Sequence, residues 1–81
     1  MEEYKSETRR VVNRFLLRQL SFPNCISALD AALARFIPRL HPDEMEALRA
    51  VMLANNEMVM KEMARRASEG KKVKIAAAAA R

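Results

Sequence analysis

The sequence predicts an all-α fold: an antiparallel three-helix unit with helices at about 3–20, 22–37 and 42–68, followed by a basic, alanine-rich tail. Three observations predict it. Alanine, leucine, methionine, arginine and glutamate dominate the 81 residues, and these are good helix formers. The chain has a single glycine, and no run alternates apolar and polar residues as a half-buried strand does. Two proline-containing breaks, Ser21-Phe22-Pro23-Asn24 and Pro38 to Pro42, divide three stretches of helical periodicity.

In the first stretch Tyr4, Val11, Val12, Phe15, Leu16 and Leu20 share one broad apolar face. Arg10, Arg14 and Arg18 follow one another at i, i+4, i+8 on the opposite side, with Glu3 and Glu7 within a turn of them. Ser21 is placed to cap the second helix, and Pro23 falls in the first turn, where its missing N–H costs nothing.

The second helix has the cleanest pattern. Phe22, Cys25, Ile26, Leu29, Ala32, Leu33, Phe36 and Ile37 lie on one face, and Pro38 ends or kinks the helix, since its ring clashes with the preceding turn. The third helix opens at His41-Pro42-Asp43-Glu44, with proline in the first helical position and carboxylates where the helix dipole favours them. Its main apolar face is Met45, Leu48, Val51, Met52, Met58, Val59 and Met63, interrupted by Asn55 and Glu62. Leu53 and Met60 form a second, smaller apolar line at i, i+7, and Gly70 is the expected stop.

Residues 1–70 are expected to form one domain, and residues 71–81 a flexible tail or a short extra helix. Charge divides the chain at the same place. Ten Asp/Glu all precede Gly70, and four of the fifteen Lys/Arg follow it, so the formal +5 is +1 up to residue 70 with the rest in the tail. A polyanion-binding body is thereby disfavoured, and a polyanion-touching tail is left open.

Several functions are excluded by what the chain lacks. One glycine cannot build a phosphate loop or a dinucleotide fingerprint. Cys25, on an apolar face, reads as a buried structural thiol, and a single cysteine forms no internal disulfide. His41 reads as a surface or capping residue, and with scattered carboxylates it makes no catalytic constellation. No catalytic residue, cofactor or metal is expected. No apolar run approaches the ~20 residues of a membrane span. The acidic Met1-Glu2-Glu3 opening is unlike a signal peptide, and a cytoplasmic home is expected.

Helix lengths supply the functional expectation. The third helix is about 40 Å long and the first two about 24–27 Å, so its last turns outreach their cover. Leu53, Asn55, Met58, Met60 and Met63 are therefore expected to form an interface, with a second copy (a dimer first) or with another helical protein. Asn55 is the register candidate in such a pair, against a solvated edge position. The alternative is a small nucleic-acid-associated protein, which would contact polyanions through Arg10, Arg14, Arg18, Lys71, Lys72 and Lys74.

Overall fold

A computed structural model describes the backbone of residues 1–79 and the side chains of residues 1–70. Three α-helices pack together, α1 (Glu2–Leu16), α2 (Phe22–Phe36) and α3 (Met45–Ala79). Two short 3-10 turns, Ile37–Arg39 and Pro42–Glu44, join α2 to α3.

The helix starts follow their sequence signals. Ser21 accepts a hydrogen bond from the Asn24 N–H at 3.3 Å, with Pro23 in the first turn. His41 forms a reciprocal cap. Its Nδ1 accepts from the Asp43 N–H at 3.2 Å, and the Glu44 carboxylate accepts from the His41 N–H at 3.0 Å. That hydrogen bond, and the Met1 ammonium 3.7 Å away, hold the Glu44 carboxyl below its ordinary range.

The helix ends differ from expectation in two places. The first helix stops at Leu16, not Leu20, in a Schellman motif: the Gln19 N–H donates to the Arg14 carbonyl at 2.8 Å and the Arg18 N–H to that of Phe15 at 3.0 Å. Arg18 takes the left-handed position (φ 61°) that glycine usually fills. Leu20 still packs against the core from this turn, so the apolar spacing continues past the true end of the helix. At the other end α3 runs through Gly70 rather than stopping there, and that glycine has no positive φ. Pro38 ends α2, and the chain turns through the 3-10 segment to an extended Leu40.

Each core cluster draws on all three helices. One holds Tyr4, Ala32, Phe36 and Leu48, the other Val12, Phe15, Cys25 and Val59. Consecutive helices are therefore antiparallel, and α1 and α3 run the same way. The backbone of α1 contacts both others, whereas α2 and α3 approach nowhere within 8 Å between Cα atoms among the described residues. Thus α1 lies between them. Aromatic edge contacts tie α1 to α2 at both ends, Tyr4 with Phe36 at 5.9 Å and Phe15 with Phe22 at 6.3 Å between ring centroids. Thr8, on the buried side of α1, returns its hydroxyl to the Tyr4 carbonyl at 2.9 Å.

Phe36 shares a cluster with Leu48, and Phe22 packs with Met63 around the other cluster. The cover of α3 thus runs from about Leu48 to Met63. Met45, expected on the main apolar face, is accordingly 41% exposed. Among the described residues no helix is long and apolar enough to cross a membrane.

Candidate functional site

The five residues proposed as an interface fall on two different faces of α3. Met58 and Met63 are half-buried against Val12, Phe15, Cys25 and Val59 of their own chain. Asn55 is only 6% exposed, so it is neither a solvated edge residue nor available to a second helix. Leu53 and Met60 are the opposite case, at 63% and 59% exposed. At about 100° per residue, they stand on the side of α3 turned away from Asn55 and Glu62. Arg49 and Glu57 flank Leu53 one turn before and after, and Glu46 and Lys61 extend the same exposed stripe. The last turns of α3 that were expected to lie uncovered thus carry Met58 and Met63 against their own chain, and the exposed Leu53 and Met60 lie on the outer face.

Two polar residues that interrupt the apolar face are buried, and the chain treats them differently. Glu62, at 8% exposure, is clasped by Arg65 (2.8 and 2.7 Å) and Arg66 (2.6 Å). Hydrogen bonds from Arg65 first, and from Arg66, outweigh burial and hold its carboxyl down to about 2. Glu62 in turn raises the Arg65 guanidinium above its ordinary range. Arg66 also donates to the Phe15 carbonyl at 2.8 Å and lies over the Phe15 ring, 4.5 Å from its centroid. The clasp therefore ties α3 to the end of α1.

The Asn55 Nδ2 has no hydrogen-bond partner among the described residues. It lies beside a cleft of about 80 Å³ between α2 and α3, lined by Tyr4, Leu29, Asp30, Leu33, Met52 and Asn56. A buried unpaired donor costs about 1–3 kcal/mol. Asn55→Leu is therefore expected to raise stability by about 1 kcal/mol, read as a higher thermal midpoint. A lowered midpoint would show that the amide is satisfied.

The proposed polyanion contacts are dispersed. Arg10 and Arg14 are exposed on α1. Arg18 leaves the helical row with the left-handed turn and sits 3.8 Å from Glu69 of α3. Glu7, expected beside these arginines, pairs instead with Arg35 of α2. The side chains of Lys71, Lys72 and Lys74 lie outside the described residues.

Cys25 is fully buried, and burial pushes its thiol up, away from the reactive thiolate. Among the described residues no group of three His, Cys, Asp or Glu side chains is placed to hold a metal ion.

Sequence reading missed the Glu62 clasp and the burial of Thr8. The i+3 and i+4 arginines after Glu62 were the available signal for the first, and the i, i+4, i+8 row Tyr4, Thr8, Val12 for the second. No protein-family model, no curated protein and no solved structure matches this chain.

Proposed function

We propose that this protein is a non-enzymatic helical interaction module that self-associates through the outer face of α3. The supporting observation is the placement of Leu53 and Met60, two large apolar side chains exposed on the helix face opposite the core. Neither belongs to a core cluster. Burying such a side chain fully contributes about 1.5–3 kcal/mol, and contact with a second chain recovers part of that. Charged residues bracket both positions, as at a rim. A nucleic-acid role has less support, because the arginine row breaks at Arg18.

Light scattering on the full chain over a wide concentration range tests the reading. Mass is expected to rise with concentration, and Met60→Asp is expected to abolish the rise while leaving the thermal midpoint unchanged. A constant monomer mass, or a rise that Met60→Asp leaves intact, would refute it.

A further inference from the structure

Resting on that reading, we propose that two copies pair antiparallel along the outer faces of α3, about a two-fold axis at Leu53. Around such an axis Leu53 faces its own copy, and each residue before it comes level with one equally far after it in the second chain. Arg49 then meets Glu57 of the second copy, twice by symmetry. Two turns out, Met45 comes level with Lys61 and Glu46 with Met60, so that Met45 and Met60, and likewise Glu46 and Lys61, are offset by one residue. Among the described residues, the three large apolar side chains that α3 exposes, Met45, Leu53 and Met60, are covered in this register. Every charge on the stripe lies level with its opposite or one residue from it.

The alternatives do not share this property. Parallel pairing in register sets Arg49 against Arg49 and Glu57 against Glu57, and like charges in contact are repulsive. An antiparallel pair shifted to set Leu53 on Met60 brings Arg49 to Ala64 and Glu46 to Ala67, with no charge matched.

The charges are free to take these partners. Arg49 and Glu46 make no intrachain ion pair among the described residues. Glu57 has only a 3.9 Å contact to Lys61, and both ends of it are exposed. The paired stretch from Met45 to Lys61 is about 25 Å long. Such a contact lies at the low end of interface size, so the dimer is weak and forms at high protein concentration. Exposed ion pairs are screened, so added salt loosens it.

Sedimentation equilibrium of the full chain at low salt tests the register with Arg49→Glu, Glu57→Arg, the double reversal and Met60→Asp. Each single reversal is expected to raise the dissociation constant about tenfold, and the double reversal to bring it back near the parent value. Circular dichroism checks that each variant keeps its helices. If the double reversal stays as weak as the singles while Met60→Asp abolishes association, the register is wrong and the outer-face reading stands. If the parent chain is monomeric throughout, or Met60→Asp changes nothing, both fall.

Discussion

Phe15→Ala is expected to remove about half of the chain's folding stability. Phe15 is the largest fully buried side chain. Truncating a buried phenylalanine costs about 3–5 kcal/mol through lost transfer energy and the cavity left behind. At ~0.05–0.15 kcal/mol per residue, a domain of this length has only about 4–10 kcal/mol in total. Phe15 also carries the edge contact with Phe22 and the stacked Arg66 guanidinium, so its loss loosens α2 and α3 at once. Urea unfolding followed by circular dichroism measures the effect. Leu17→Ala is the control, since Leu17 is an exposed neighbour in the following turn and should change stability by less than about 0.5 kcal/mol. A midpoint for Phe15→Ala close to the parent value would mean that the second cluster does not hold the bundle.

Arg66→Met is expected to be the next most damaging change, at about 2 kcal/mol. It keeps an apolar stem over the Phe15 ring but removes two charge-assisted hydrogen bonds, to Glu62 and to the Phe15 carbonyl. The clasp also sets a pH dependence. The Glu62 carboxyl titrates near 2 in the folded chain against an ordinary 4.5. Between those values the unfolded chain binds the extra proton, so stability is full above about pH 4.5 and falls as pH drops toward 2. The slope of stability against pH in that window should be shallower in Arg66→Met than in the parent. Equal slopes would place the acid sensitivity elsewhere, for example at Glu44, whose carboxyl is shifted in the same direction.

The helices were legible in the sequence because their faces repeat with the helical period and their starts carry proline and capping residues. What escaped was set by contacts distant in sequence or by unusual backbone. Nothing around Arg18 marks a left-handed residue, and Leu20 continues the apolar spacing while reaching the core from a turn. The level of α2 along α3 follows from the path of the chain through the two 3-10 turns, which residue spacing does not encode. For the candidate surface, the i, i+7 line of Leu53 and Met60 was readable. Met58 and Met63 carry the spacing of the main apolar face, and their cover by Val12, Phe15 and Cys25 comes from residues distant in sequence. Asn55 and Glu62 were visible as interruptions of an apolar face. Their different treatment, one clasped and one left without a protein partner, depends on whether cations follow at i+3 and i+4.

The position of α1 between the other two helices governs how the molecule comes apart. Tyr4, Val12 and Phe15 of α1 stand in the two core clusters alongside residues of both α2 and α3, so each cluster needs all three helices. No pair of neighbouring helices retains an intact nucleus, so the bundle melts as a single cooperative unit rather than shedding one element at a time.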